Sequence, residues 1–289
     1  MAAKLCLGTV QFGMRYGVHN ALGRQPTDAE VFAVLDAARD AGIDAFDTAS
    51  AYGTAEDVLG RYRLASRGVR IISKLRPHVK TADTVLHEMQ ESLRRLGTDH
   101  IACYMLHRAE DLGNTAVMEG LTEVKACGWA EKIGVSVYRP EDALRAAEDS
   151  RIDAIQIPYN ALDQRLDACG FFVLAKKHGK EIYARSAFLQ GLLLMQPQEA
   201  EHRVSGSGAY VAAFQKIARD MGFLPNEAAM LYVLRHEGID YVVFGVDTAA
   251  QLQENVRLSE RVSEITDSCC PFIGKFNDVP QKLIDPSLW

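Results

Sequence analysis

The chain has 289 residues, with 32 lysines and arginines against 38 aspartates and glutamates, a formal net charge of −6. Hydrophobic residues make up 48% and charged residues 24%, the balance of a globular protein with a sizeable core. The acidic balance argues against nucleic acid as a partner, and no apolar run approaches the roughly 18 residues of a membrane helix.

In chain order, short apolar runs alternate with segments of helical period. Leu5–Thr9 is the first predicted strand. A helix over Asp28–Ala41 follows, opened by Pro26-Thr27-Asp28 and stopped at Gly42. Ala45–Thr48 and Val69–Lys74 are the next strands. The helix Thr81–Leu96 has Thr81 as N-cap, Gly97 as terminator, and Val85, Met89, Leu93 and Leu96 on one side. The strand Ile101–His107 leads to a helix over Thr115–Cys127, and Lys132–Val137 to one over Pro140–Glu148. The strand Ala154–Pro158 precedes a helix over Asp167–His178, and Glu181–Ser186 is the seventh strand. A longer excursion follows, with a polar stretch over Gln196–Gly208 and an extra helix over Ala209–Met221. The helix Asn226–His236, the strand Tyr241–Gly245 and the helix Ala249–Leu258 complete the pattern. After Ser263 the sequence has little period.

Each predicted strand is mostly apolar on both faces, as buried parallel strands are. Eight of them is the number that closes a parallel barrel. An open doubly wound sheet would place GxGxxG after the first strand, and Gly8-Thr9-Val10-Gln11-Phe12-Gly13 does not match it. The expectation is an α/β protein, a (β/α)8 barrel in one domain over residues 1–289, with residues 263–289 as a tail. The start, Met1-Ala2-Ala3-Lys4-Leu5, lacks a signal-peptide apolar region, so a cytoplasmic location is expected. The six cysteines, Cys6, Cys103, Cys127, Cys169, Cys269 and Cys270, then read as reduced thiols, with adjacent Cys269 and Cys270 as plain tail sequence. No HxxxH or HExxH spacing occurs, so no metal is expected.

Barrel sites form at the C-terminal ends of the strands. There the second strand delivers Asp47 and, just beyond, Tyr52; the third delivers Lys74; the fourth delivers His107. A phenol is a poor acid at neutral pH, and a neighbouring ammonium favours its ionised form. A carboxylate can hold that ammonium, and an imidazole can orient a carbonyl oxygen. The set suits protonation of an oxyanion formed by hydride addition. Arg15, Tyr16, Arg108, Tyr138 and Tyr159 stand just beyond strand ends as candidate substrate contacts, and their polarity suits a hydroxylated or charged carbonyl compound.

Asp47-Thr48-Ala49-Ser50-Ala51-Tyr52-Gly53 matches the DTAxxYG signature of the aldo-keto reductases. Ile72-Ser73-Lys74, Leu106-His107-Arg108, Lys132-Ile133-Gly134-Val135-Ser136, Gln156-Ile157-Pro158-Tyr159-Asn160, Gln190-Gly191-Leu192-Leu193 and Gln251-Leu252-Gln253-Glu254-Asn255 resemble further segments of that family, in family order. The opening from Gly8 and Thr9 to Gly17 resembles a bacterial branch linked to sugar metabolism. The resemblance implies carbonyl reduction, or its reverse, on a small molecule. It implies Tyr52 as general acid, Lys74 lowering its pKa, Asp47 pairing with Lys74, and His107 positioning the carbonyl. A nicotinamide cofactor would be held by Gly8, Thr9, Ser136, Gln156, Arg185, Ser186, Leu189, Gly191, Gly245, Asp247, Gln251, Glu254 and Asn255.

Departures from the family pattern are informative. Val137 replaces the usual asparagine after Ser136, and Arg185 aligns with the tyrosine that stacks on the nicotinamide. Asp247 follows the last strand where NADPH users carry a cation, although Arg257 lies a few residues on, so NADH and NADPH both stay open. The family's N-terminal hairpin is short or absent. A cofactor-holding scaffold without fast chemistry, and a barrel lyase or epimerase, are the alternatives. Substrate, direction, oligomeric state and closure of residues 196–208 over the cofactor are left open by the sequence.

Overall fold

The computed structural model describes residues 2–18, 20, 22–262 and 271–289. Cys269 and Cys270 lie outside the described residues. Eight parallel strands, β1 (Lys4–Gly8), β2 (Ala45–Asp47), β3 (Arg70–Leu75), β4 (Ile101–Leu106), β5 (Ala130–Ser136), β6 (Ala154–Pro158), β7 (Glu181–Arg185) and β8 (Tyr241–Gly245), run in sequence order around a barrel that closes β8 onto β1. All eight correspond to predicted strands.

Alternation along the strands sorts the side chains. Cys6, Ala45, Ile72, Cys103, Met105, Ala154, Tyr183, Tyr241 and Val243 form an interior cluster separate from the large outer one. Residues two apart share a strand face. The inward rows are therefore Arg70–Ile72–Lys74, Glu181–Tyr183–Arg185, Ala45–Asp47, Cys103–Met105–His107 and Ala154–Gln156. Each begins or continues through apolar filling and ends at the upper rim in a polar group.

The helices cover the outside. Asp28–Asp40 is fixed by a capping box between Thr27 and Glu30, and Ala82–Leu96 by Thr81 and a left-handed Gly97. Three sequence expectations change. The helix expected over Asp167–His178 is two short ones, Arg165–Ala168 and Phe171–Lys177, because Gly170 takes φ of +76° between them. The polar stretch over Gln196–Gly208 contains a helix, Pro197–Arg203, whose Glu201 carboxylate accepts from the backbone of Gly206 and Gly208. A helix over Ala55–Arg61, not foreseen, follows Tyr52 directly.

Among the described residues no helix is long and apolar enough to cross a membrane.

Candidate active site

Lys74, at the upper end of β3, has no exposed side-chain surface. Its ammonium donates to Asp47 Oδ1 at 2.6 Å, to the Thr48 carbonyl at 3.0 Å and to Tyr52 Oη at 3.4 Å. Gln156 Nε2 donates to the same Asp47 oxygen at 2.7 Å, and Ser136 Oγ donates to Gln156 Oε1 at 3.3 Å. The His107 ring meets Tyr52 edge to face with centroids 5.8 Å apart. His107 Nδ1 is buried without a hydrogen-bond partner among the described residues.

Close backbone contacts fix the turn that carries Tyr52. A Cβ on Gly13 would lie 1.8 Å from the Tyr52 carbonyl oxygen, and one on Gly53 would lie 2.3 Å from the Gly13 carbonyl oxygen. Gly53 also has φ of +58°. The short helix Val10–Gly13 after β1 thus presses on the Tyr52-Gly53 turn with nothing between. Behind that turn, the buried Glu56 accepts from Ser73 Oγ at 2.6 Å and from Arg95 Nε at 2.8 Å. Ser73 adjoins Lys74, so its hydrogen bond to Glu56 ties the helix following Tyr52 to the strand that carries the ammonium.

Burial governs the protonation states. It pushes the Tyr52 phenol above its ordinary value, and the Lys74 and Arg185 charges oppose the rise without cancelling it. Lys74 thus lowers the phenol's pKa in the expected direction, against a larger rise from burial. Burial also works against the Lys74 ammonium, but Asp47 and Tyr52 outweigh it and the net shift is upward. His107 is pushed down to about 3, first by burial and then by the Lys74 and Arg185 charges, so its imidazole is neutral at physiological pH.

Beside Tyr52 and Asp47 opens a cleft of about 420 Å³. Of the sequence candidates, Gly8, Thr9, Tyr16, Arg185, Ser186, Gly191, Gly245, Asp247, Gln251, Glu254 and Asn255 line it. Lys74, His107, Ser136 and Gln156 lie outside that lining, and Leu189 is fully buried. Arg15 is exposed away from the lining. Arg108 pairs with Glu110 and His78 outside it. Tyr138 lies under the Arg185 guanidinium, 4.1 Å from its ring centroid. Tyr159 is placed elsewhere altogether. Its ring is 2% exposed, stacks on Tyr232, and its hydroxyl donates to Asp167 at 3.0 Å. Arg257 is exposed and Pro197–Arg203 is absent from the lining.

Several cleft residues were not foreseen. Gln11 projects at Gly245, and its Oε1 is buried without a partner among the described residues. Asn226 crosses to Glu254, donating at 2.6 Å. Asn20 donates to Asp247 at 3.1 Å, and the Val18 N–H donates to the Gln190 carbonyl at 3.2 Å, so Val18 and Asn20 tie the mouth to the turns after β7 and β8. The repeated glycines of residues 8–23 are the available signal for the segment around Gln11 and Asn20.

The turn after β7 has a conformation that sequence does not announce. Ser186, Leu189, Gln190 and Gly191 all take positive φ. Three non-glycine residues there cost on the order of 1–3 kcal/mol each, a strain that accumulates at functional sites. Asn160 Nδ2 supports the turn by donating to the Ser186 carbonyl at 3.2 Å. Such turns gather backbone N–H groups into anion-binding concavities. With the orphaned Gln11 amide oxygen, the close glycines Gly8 and Gly245, and the polar wall of Gln251, Glu254 and Asn255, the cleft fits a dinucleotide. Among the described residues no group of three or more His, Cys, Asp and Glu could hold a metal ion.

Residues 4–269 match the sequence profile of the Aldo/keto reductase family. A 6-dehydroglucose reductase of Agrobacterium fabrum is 26% identical over 279 residues, covering 88% of this chain and 89% of the relative. An L-glyceraldehyde 3-phosphate reductase of Escherichia coli is 25% identical, with 78% and 77% covered. A solved aldo-keto reductase from Pseudomonas aeruginosa superposes with a TM-score of 0.70 at 26% identity, over 91% of each chain. With a match over nearly its whole length, on the barrel and cleft described, the chain belongs to the aldo/keto reductase family and is a nicotinamide-dependent oxidoreductase of carbonyl compounds.

Proposed function

We propose that the protein reduces an aldehyde or ketone to an alcohol with Tyr52 as the proton donor. The observation that carries this is the Lys74 ammonium, buried and shared between Asp47 at 2.6 Å and Tyr52 at 3.4 Å on the edge of the cleft. The cofactor, when bound, supplies a hydride to the carbonyl carbon. Tyr52 Oη gives its proton to the carbonyl oxygen, and Lys74 stabilises the phenolate left behind. Asp47 keeps Lys74 charged in a dry setting where an unpaired ammonium would lose its proton. Neutral His107 orients the carbonyl oxygen. Because burial keeps the phenol protonated, Tyr52 stands ready as a proton donor near neutral pH.

The cofactor reading is NADH. Asp247 and Glu254 border the cleft, while Arg257 is outside its lining. A carboxylate accepts from a ribose diol and repels a 2′-phosphate. The residues proposed to hold the cofactor are Gly8, Thr9, Gln11, the turn Ser186–Gly191, Gly245, Asp247, Gln251, Glu254 and Asn255, with Ser136 and Gln156 as support behind Asp47. A sugar-like substrate is supported by the two relatives named for sugar-derived carbonyls. Calorimetric titration with NADH and NADPH, then an aldehyde screen with wild type and Tyr52→Phe, tests the reading. Tight nicotinamide binding with turnover lost in Tyr52→Phe supports it. Near-normal turnover in that variant removes Tyr52 as the acid.

A further inference from the structure

We propose that Arg185 anchors an anionic group on the substrate, so that the carbonyl compound this enzyme takes carries a carboxylate or a phosphate. The proposal rests on the reading of the cleft as a carbonyl-reducing site.

Arg185 supplies the one Lys or Arg side chain in the described lining of the cleft. It ends the inward row Glu181–Tyr183–Arg185, but Glu181 is committed at the opposite end of the barrel, to Arg70 and Lys132. Its own hydrogen bonds go to neutral acceptors. Nη2 donates to the Val137 carbonyl at 3.1 Å and Nη1 to Ser186 Oγ at 3.3 Å. The carboxylates near it are engaged elsewhere. Asp47 is held by Lys74 and Gln156, and Asp163 by a two-pronged pair with Arg165 at 2.7 and 2.8 Å. A half-buried guanidinium whose neighbours are already neutralised gains most from an anion brought by a ligand. It presents five N–H donors in a planar fork, and the two contacts above leave others for a carboxylate or phosphate.

The charge also stands close to the reacting groups, since it acts on Tyr52, His107 and Tyr16 alike. Stacking on the nicotinamide, the role its alignment suggests, suits it less well. One face of the guanidinium is covered by Tyr138, at 4.1 Å. The other would face a cationic ring once the hydride has left, and two cations in contact repel. An anchored substrate anion has the opposite effect and neutralises the guanidinium before chemistry begins.

The test compares matched aldehydes on the full chain: succinic semialdehyde against butanal, and glyceraldehyde 3-phosphate against glyceraldehyde. Wild type is expected to favour the anionic member of at least one pair by tenfold or more in kcat/KM, and which pair shows it distinguishes carboxylate from phosphate. Arg185→Met is expected to lower kcat/KM for that anionic aldehyde by about 10- to 100-fold, chiefly through KM, bringing the ratio within the pair towards one. Arg185→Lys should keep part of the preference. Equal use of both members by wild type overturns the proposal. So does an equal loss on both in Arg185→Met. A weakened nicotinamide titration in that variant with the ratio intact assigns Arg185 to the cofactor and also overturns it. If wild type reduces no aldehyde with either nicotinamide, the carbonyl-reducing reading falls as well; turnover without charge preference removes the anchor alone.

Discussion

The two ends of the barrel carry the same chemical types and use them differently. At the upper rim a lysine, a carboxylate and a tyrosine meet as Lys74, Asp47 and Tyr52. At the lower end Arg70 and Lys132 meet Glu181, Tyr183 and Tyr241. The decisive difference is which partner the phenol faces. Tyr52 faces the ammonium, which favours loss of its proton, and borders a cleft. Tyr183 donates to the Glu181 carboxylate, which together with burial holds its proton in place, and stacks on Tyr241 with centroids 4.8 Å apart. On the function proposed above, one cluster releases a proton to a ligand. The other closes the bottom of the barrel. Composition alone could not distinguish them; position along the inward rows does.

The largest expected effect breaks the comparison at the phenols. Tyr52→Phe should lower kcat by about 10²- to 10⁴-fold, the usual contribution of a positioned general acid, with nicotinamide binding retained. Tyr183→Phe should change kcat less than about twofold while lowering stability, since a buried carboxylate loses a donor. Parallel steady-state kinetics and urea denaturation of the two variants separate the ends. A large kcat loss in Tyr183→Phe would contradict the assignment of the lower cluster.

Next in size is a displacement of Tyr52 without touching it. Gly13→Ala puts a methyl group where the Tyr52 carbonyl oxygen stands, 1.8 Å from the new atom. The turn has to move by an ångström or more, and such misplacement costs about 100-fold in kcat. Activity within threefold of wild type would show that the turn does not position the acid.

The buried ion pairs sharpen the contrast in stability. Lys74→Met leaves Asp47 uncompensated in a dry site and should cost about 3–5 kcal/mol. Lys132→Met should cost far less, because Lys132 is about a third exposed (33%) and Arg70 still faces Glu181. Denaturant midpoints of the two variants give the comparison directly. Histidine at the upper rim adds a pH term. His107 takes up a proton near pH 6.5 when unfolded but only at about 3 when folded. Stability is therefore lost as pH falls below about 6.5, by up to ~1.4 kcal/mol per unit. His107→Asn should show a shallower fall of Tm between pH 7 and pH 4 than wild type. An identical slope would mean that His107 is not held neutral.

Much of the upper cluster is legible because a strand has period two. Once Ile72 is inside the barrel, so is Lys74, and once Ala45 is inside, so is Asp47. The eight strands are legible from their apolar runs. The parts that were not legible depend on contacts between distant backbones: Gly13 against Tyr52, the left-handed turn after β7, and the strap from Asn20 to Asp247. No local pattern encodes those, because each partner is ordinary in its own segment. The break at Gly170 was a local signal overridden by the apolar period around it.

The smallest predicted effect concerns the residue where that period was misapplied. Tyr159 follows Pro158 at the end of β6, a position that by sequence alone reads as the rim. Counting by two from the inward Gln156 passes through Pro158 and leaves Ile157 and Tyr159 facing outward. Its hydroxyl accordingly lies between Asp167 and Tyr232 under the outer helices, with His236 edge-on to its ring. Tyr159→Phe removes one buried donor and should lower stability by about 1 kcal/mol while leaving KM for every aldehyde unchanged. A KM change in this variant, with stability intact, would return Tyr159 to the substrate side and undo the inward rows on which the comparison of the two barrel ends is built.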